Sequence, residues 1–281
     1  MSAASDVYKR QGIDSNKSLP VIENTPFKSW AVNNANATDD SFLQFGNSAG
    51  IPVVLWLDSV NNAYRPQVLK TAVSLLGRCG FNVLIAKSHF CCGRPLYEYG
   101  FLDKARQQLQ GILDNFHSTL PSDASVLVLE PSCLSVFKDE LHRLFPDDTR
   151  ATDLAVRTMT VAEYLTGQQV QPARTLPRGL MHLHCHGKTI AHAERQWMQN
   201  CFDELSEPAS GCCGMAGTYG HETANKETSR NIYSMSWQPA IRSSAEGRTL
   251  TATGYSCRSQ VKRFDDISLP HPAQSLLKQR R

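Results

Sequence analysis

The sequence lacks the long apolar runs of membrane and secreted proteins. No stretch of its 281 residues approaches the roughly 18 to 20 consecutive apolar residues that a membrane helix needs. The first residues, Met1 to Gly12, have no apolar core of the kind found in a signal peptide. We therefore expect a cytoplasmic protein that is not an integral membrane protein.

Strong charge of one sign is missing as well. The formal net charge is +3 and the pI is near 8.4, and the basic residues are scattered along the chain. Nucleic-acid binding needs a concentrated basic surface, so we expect no nucleic-acid partner.

A glycine-rich nucleotide-binding turn is also absent. After the first apolar run stands Asp58-Ser59-Val60-Asn61-Asn62 in place of a G-x-G-x-x-G sequence. Hydride chemistry needs a dinucleotide or flavin cofactor, and we predict that this chain holds neither.

Cysteine, in contrast, is abundant. Nine cysteines are more than packing requires in a chain of this length, and their odd number does not suit a disulfide framework. In a reducing compartment they are expected to be thiols or metal ligands.

Hydrophobic periodicity predicts alternating strands and helices. The run IPVVLWL is typical of a strand buried on both faces of a parallel sheet, and the helix after it has Pro66 in its first turn. The first half is predicted to contain, in order, strand 51–57, helix 65–78, strand 82–86, helix 102–116, strand 125–129 and helix 134–144. The second half is predicted to contain strand 180–184, helix 189–199, strand 202–205, helix 224–236 and strand 249–253, with a further helix carrying Cys257.

This order predicts an α/β fold of two similar Rossmann-like halves with mostly parallel sheets. Residues 1–48 lack periodicity and are expected to be a disordered or linker segment. The first repeat is placed at 49–147 and the second at 179–281, and residues 148–178 form a connector with a short helix near 161–166.

The cysteines occur at equivalent places in the two halves. The first half has Asp58, Cys91-Cys92-Gly93 and Cys133, and the second has Cys185, Cys212-Cys213-Gly214 and Cys257. Each follows a predicted strand, so the motif loops should gather at the carboxyl ends of the sheets, where open α/β folds bind ligands.

A Cys-Cys-Gly sequence can act as a chelating turn. The glycine permits a left-handed backbone that brings two adjacent sulfurs to one side, and a following helix start favours thiolate. Such thiolates suit an iron–sulfur cluster or zinc. A pair of small buried residues, a structural zinc site and a vicinal redox disulfide are the alternatives; a repeated motif argues against the first.

Other cysteines, histidines and basic residues near the motifs are given simpler roles. Cys79 and Cys201 are expected to pack, not to bind. The histidines 182, 184 and 186 alternate around Cys185, and one of them is a candidate to lie beside the site. The basic residues 258, 262 and 263 either offset a negative cluster or lie on a solvated surface.

Taken together, these motifs resemble the CCG or cysteine-rich domain family, over about residues 51 to 275. That family includes the cysteine-rich subunit of heterodisulfide reductase and the glycolate oxidase iron–sulfur subunit. The run 254–263 (GYSCRSQVKR) followed by His271-Pro272 is similar to the C-terminal end of large FAD-linked oxidases of the D-2-hydroxyglutarate or D-lactate dehydrogenase type.

The resemblance implies an oxidoreductase component, an electron-transfer module that passes electrons from a flavin to an acceptor. The implied cofactor is an iron–sulfur cluster of the 4Fe–4S type. Its metal ligands are Cys185, Cys212, Cys213 and Cys257, and the remaining cofactor-binding candidates are Cys91, Cys92, Cys133 and Asp58. FAD is expected on a fused or partner dehydrogenase domain, because this chain has neither a flavin part nor a ferredoxin-like cysteine run.

Asp58 stands where many members of the family have a cysteine, so the first-half set is incomplete. Two other functions stay open. One is a thiol/disulfide reductase site of the heterodisulfide reductase kind, and the other is a zinc-stabilised assembly module.

Overall fold

The structure, a computed structural model, describes residues 10–14, 16–17, 19–172, 175–188, 192–243 and 247–277. These residues form a mixed α/β fold with two separate sheets. The prediction of mostly parallel sheets is confirmed.

The first sheet has six strands in the order β1-β2-β4-β3-β5-β6. Their bounds are Ala37–Thr38 (β1), Phe42–Gly46 (β2), Pro52–Leu55 (β3), Asn82–Ala86 (β4), Ser125–Val128 (β5) and Thr158–Thr160 (β6). Strands β3 to β6 are parallel, whereas β2 runs antiparallel to both β1 and β4. In β3, Val53 and Leu55 enter one core and Val54 enters another, which explains why its sequence is apolar throughout and does not alternate.

The second sheet has three parallel strands in the order β8-β7-β9. They are Leu176–His182 (β7), Phe202–Ser206 (β8) and Thr249–Ala252 (β9). Each sheet therefore contains the same parallel unit: β3 lies between β4 and β5, and β7 lies between β8 and β9. This shared order is the structural counterpart of the repeated cysteine motifs.

The helices cover the sheets and connect the strands. They span Phe27–Asn34, Ser59–Tyr64, Pro66–Arg78, Arg94–Glu98, Leu102–Thr119, Pro131–Ser135, Leu141–Leu144, Thr149–Arg157, Val161–Gly167, His192–Asn200, Lys226–Ser236, Gln238–Ser243, Tyr255–Asp265 and Pro272–Leu277. A π-helical turn, Val136–Glu140, and 3₁₀ turns at Cys185–Gly187, Tyr219–His221 and Thr223–Asn225 complete the described elements. Within these ranges no helix is both long enough and apolar enough to cross a membrane.

The interpretation of residues 1–48 as a loose segment is wrong for residues 27–46. These form a helix and the strands β1 and β2, with Phe27 and Ala31 fully buried and Phe42 and Phe45 nearly so. The short apolar group in β2 is bonded to β4 over five residue pairs. Pairing between strands, and not a local hydrophobic periodicity, orders this segment. Residues 1–9 lie outside the described residues.

The connector is also more regular than expected. The helix predicted near 161–166 is present as Val161–Gly167, begun by a capping box between Thr160 and Glu163. Helix Thr149–Arg157 and strand β6 precede it and were not predicted. A strand of three residues is too short to leave a period in the sequence. Thr189, where the next helix was predicted to begin, lies outside the described residues.

The buried carboxyl group of Glu194 offers a test of the packing between the halves. Glu194 is 8% exposed and lines a small cavity with Val128, Trp197 and His271. Burial raises the pKa of Glu194 to about 7, although Arg195 opposes the shift. The folded state therefore binds a proton that the unfolded chain releases near its ordinary pKa, so this group makes the protein less stable as the pH rises from about 4.5 to about 7.

We predict that Glu194→Gln removes this loss of stability at higher pH. Between pH 5 and pH 8 the free energy of unfolding of the wild type should fall by about 1 to 3 kcal/mol more than that of the variant, as measured by urea denaturation. Glu227→Gln, which changes an exposed carboxyl group on helix Lys226–Ser236, is the matched control. Identical pH profiles for wild type and Glu194→Gln would contradict the burial of a protonated carboxyl group.

Candidate functional site

The motif loops of both halves meet at one cavity of about 220 Å³, which we call the thiol cavity. It lies beyond the carboxyl ends of the strands, as the sequence predicted. Its lining residues are Asp58, Ser59, Val60, Cys91, Cys92, Arg94, Pro95, Glu98, Glu130, Ser132, Cys133, His184, Cys185, His186, Cys212, Cys213, Ala216, Gly217, Tyr255 and Ser256. Cys257 is buried directly behind this lining, beside Cys213. The two sets of cysteines therefore belong to one site.

The first-half thiols form a compact group. The Sγ atoms of Cys92 and Cys133 are 3.1 Å apart and both residues are buried. Cys91 is half-buried and its thiol contacts that of Cys92. Gly93 has a φ of 80°, the left-handed conformation predicted for a chelating turn, and helix Arg94–Glu98 begins directly after it.

The second-half thiols form a longer chain of contacts. Hydrogen bonds between side chains join Cys185 to Cys212, Cys212 to Cys213, and Cys213 to Cys257. The backbone N–H of Gly214 donates to the Cys212 sulfur at 3.3 Å. Gly214 has a φ of 86°, and a β-carbon there would lie 2.4 Å from the Ser229 carbonyl oxygen. Only glycine fits this turn.

The electrostatics of the two thiol sets differ. In the first half, contact with Cys92 and then burial raise the pKa of Cys91. The pKa of Cys133 is also raised: the Cys92 thiol opposes the shift, and burial and the negative charges of Asp58 and Glu130 outweigh it. The start of the helix after Gly93 does not reverse these increases in pKa, so the first half favours neutral thiols.

In the second half the pKa of Cys212 is lowered, first by hydrogen bonds from Cys185 and Cys213 and also by His184. The pKa of Cys257 is lowered by the Cys213 thiol and then by His184 and His182. Cys212 and Cys257 are therefore favoured as thiolates, whereas the same contacts raise the pKa values of Cys185 and Cys213.

Asp58 lines the cavity, but its oxygens are engaged. The Asn61 backbone N–H donates to Oδ1 at 2.7 Å and the Asn61 side-chain amide donates to Oδ2 at 2.9 Å. Asp58 is thus the N-cap of helix Ser59–Tyr64. Burial, reinforced by Glu130, raises its pKa to about 7.

The three histidines have separate positions. His182 is buried against Trp237 with the ring centroids 4.0 Å apart, and His184 lies 3.9 Å from the Cys185 sulfur. The His186 ring contacts Ser135 and Arg94 of the first half, each at 3.1 Å. All three therefore lie in or beside the second-half thiol set.

The basic residues after Cys257 also lie in different environments. Arg258 is 2% exposed and lies between the halves, where its charge faces Asp58 and Glu130. Arg263 is buried against Asp14, and Lys262 pairs with Asp266 at the surface. Of the three, Arg258 offsets negative charge near the thiols.

Sequence reasoning missed two links between the halves. Arg94 forms a salt bridge with Glu140 and contacts His186. Glu130 accepts a hydrogen bond from the Tyr255 backbone N–H at 2.9 Å. Arg94 directly follows Gly93, and Glu130 lies just after β5, so their positions at strand and motif ends were the available signal.

Cys79 and Cys201 lie apart from the cavity, in the core beneath the first sheet, as predicted. Within the described ranges no group of three or more His, Cys, Asp or Glu side chains has the arrangement of a single-ion metal site. The sulfurs contact one another instead. Seven thiols in and behind one cavity, with two favoured as thiolates, are a donor set that fits iron–sulfur chemistry or zinc.

Comparison with known proteins finds a family model that is similar to part of the chain. Residues 58–138 match the family model described as "Cysteine-rich domain" and named CCG. The matched segment contains Asp58, Cys91, Cys92 and Cys133, the whole first-half set.

Three relatives illustrate the similarity. D-2-hydroxyglutarate dehydrogenase of Escherichia coli K12 is 31% identical over 232 residues, which cover 80% of this chain and 22% of the relative. A subunit of the anaerobic glycerol-3-phosphate dehydrogenase of the same organism is 28% identical, over 75% of this chain and 54% of the relative. Lactate utilization protein A of Bacillus subtilis 168 is 26% identical, over 61% of this chain and 76% of the relative.

The chain spans about a fifth of the length of the D-2-hydroxyglutarate dehydrogenases that it matches. The similarity to them and to a dehydrogenase subunit extends well beyond the segment that the family model covers. The family-model match itself is confined to residues 58–138, which resemble the CCG cysteine-rich domain.

Proposed function

We propose that the thiol cavity holds a 4Fe–4S cluster through Cys185, Cys212, Cys213 and Cys257, and that the chain carries electrons from the flavin of a 2-hydroxy-acid dehydrogenase to an acceptor. The observation that carries the proposal is the convergence of both Cys-Cys-Gly turns on one cavity. Packing alone does not require thiols from five separate segments of the chain to meet.

The second-half set is favoured as the ligand set because the pKa values of two of its members, Cys212 and Cys257, are lowered, and thiolate is the form that binds metal. The Cys213 thiol, then His184 and His182, lower the pKa of Cys257, whereas burial, then Asp58 and Glu130, raise that of Cys133. A bound cluster would supply one-electron redox chemistry. The protein's own residues provide the thiolates, the histidines beside them and the charge of Arg258 behind them.

The relatives support the rest of the proposal. They are named as dehydrogenases of D-2-hydroxyglutarate and glycerol 3-phosphate and as a lactate utilization protein. The substrates in those names all carry a hydroxyl-bearing carbon. Because Asp58 to Asn62 replace a nucleotide-binding turn, we assign FAD and substrate to a fused or partner domain. The reduced thiols suit a cytoplasmic location.

A second candidate function is thiol/disulfide reduction at the same cavity. It is favoured by the exposure of Cys185 and the partial exposure of Cys91 and Cys212, which leave sulfurs within reach of a small disulfide. The experiments below separate the two functions.

We predict that protein prepared without oxygen contains iron and acid-labile sulfide and shows the visible absorption of an iron–sulfur chromophore. Metal analysis and sulfide assay provide the measurement. Stoichiometric zinc without sulfide would instead support the zinc-stabilised assembly module.

We predict unequal effects of cysteine replacement in the two halves. Cys212→Ser should remove most of the bound iron and lower the melting temperature, because cluster binding stabilises the folded state. Cys91→Ser changes the equivalent residue of the first motif and should cost less iron. Equal losses would show that both halves supply ligands.

We predict that the chain alone oxidises no 2-hydroxy acid, but reoxidises a substrate-reduced flavin domain supplied with it. Stopped-flow absorption should show fast flavin reoxidation with the intact chain and slow reoxidation with Cys212→Ser. Similar rates would show that the thiol cavity does not carry the electrons. Reduction of small disulfides by the chain without a flavin domain would favour the second candidate.

A further inference from the structure

A second cavity, of about 240 Å³, opens at the surface beside the thiol cavity. Four separate parts of the chain contribute most of its lining: the segment before helix Phe27–Asn34, the end of helix Ser59–Tyr64, the turn Tyr219–His221, and helix Tyr255–Asp265. We call it the tyrosine groove, and its main lining residues are Leu19, Val21, Tyr64, Arg65, His221 and Tyr255.

Two tyrosine rings separate the groove from the thiol cavity. Tyr64 and Tyr255 are stacked, with ring centroids 5.7 Å apart and an interplanar angle of 28°. Tyr255 lines both cavities, and it is two residues from Cys257. A ring bound in the groove would therefore be separated from the thiol cavity by the thickness of this tyrosine wall.

The groove contains a buried polar group that has no partner. His221 is 8% exposed, and its Nδ1 forms no hydrogen bond within the part of the chain that the structure describes. Burial, with the nearby charge of Arg263, lowers the pKa of His221 to about 4, so the ring is neutral at physiological pH. A buried nitrogen without a partner costs folding free energy, which a ligand that bonds to it would recover.

The charges that line the groove nearly balance. Arg65 is half-buried and enters no salt bridge among the described residues, whereas Lys262 is paired with Asp266. Glu23 brings a carboxylate to the same groove. This balance disfavours a highly charged ligand such as a nucleoside triphosphate and favours a neutral ligand that accepts hydrogen bonds.

We propose that the tyrosine groove binds the flat, uncharged, carbonyl-bearing ring of a redox partner. The ring stacks on the Tyr64 side of the tyrosine wall, Leu19 and Val21 cover its apolar edge, and Arg65 and His221 bond to its polar atoms. Two sources share this chemistry, the flavin ring of a dehydrogenase domain and a free quinone. The role in electron exchange rests on the proposed function, whereas the binding of the ring does not.

Electron exchange at this site balances simply. Full reduction of a quinone in the groove takes two electrons and two protons. The thiols would hold the group that passes those electrons singly from the reduced flavin of the dehydrogenase, and water supplies the protons through the open groove. Oxidation of the ring runs in reverse.

The test is equilibrium dialysis of the whole chain, with the group held by its thiols in the oxidised state, against lumiflavin or duroquinone. Duroquinone is chosen because all its ring carbons are substituted, so it does not add to thiols. Tyr64→Leu should weaken binding roughly fivefold or more and Tyr64→Phe should restore it. Arg65→Gln should weaken binding to a similar degree.

Tyr99→Leu and Arg178→Gln change exposed residues outside the groove and serve as matched controls that should bind as the wild type does. Binding of lumiflavin alone assigns the groove to a flavin domain, binding of duroquinone alone assigns it to a free acceptor, and either result supports the site. Absence of binding, or binding that Tyr64→Leu leaves unchanged, overturns it. Iron and sulfide are measured on the same samples, so failure of the cluster proposal shows separately from failure of ring binding.

Discussion

The buried guanidinium of Arg258 is the contact on which the shared cavity depends. It donates to the carbonyl oxygens of Ala252 and Thr253 in its own half, at 3.0 and 2.8 Å, and to Asn61 Oδ1 in the other half, at 3.1 Å. A buried positive charge is costly, on the order of several kcal/mol, unless negative groups surround it. Asp58 and Glu130 supply that charge from the first half. The carboxyl edges of the two sheets must therefore face each other, and the motif loops at those edges are brought together.

The same arrangement makes the two thiol sets unequal. The carboxylates that balance Arg258 both come from the first half, where their charge opposes ionisation of Cys133. The second half faces its own histidines, which favour ionisation of Cys257. A duplicated fold thus contains one set with two thiols whose pKa values are lowered and one set in which the pKa values are raised. This difference follows from charge placement and does not need any difference in backbone topology, since the order β4-β3-β5 matches β8-β7-β9.

Much of the fold was predictable because its strands are strongly marked. The runs that became β3, β4 and β5 are apolar on both faces. Gly93 and Gly214 mark left-handed turns, and at Gly214 a β-carbon would also clash with the backbone. Strands β2 and β6 were not predictable, because β2 is ordered by pairing with β4 and β6 has only three residues. The sequence also predicted that the cysteines would lie at sheet edges. It could not show that the two edges form one cavity, because that depends on contacts between residues such as Arg258 and Asn61, which are 197 positions apart.

Asp58 shows how one departure from the family pattern affects the whole site. The resemblance to the family places a cysteine at this position, which would give the first half a fourth thiol. The carboxylate instead accepts two hydrogen bonds from Asn61, one from its backbone and one from its side chain. Those bonds orient the Asn61 amide so that its oxygen accepts from Arg258. A thiol is a weak acceptor and cannot hold both groups in this way. The residue that stands in place of a fourth first-half thiol is therefore the one that orients Asn61 toward the second half.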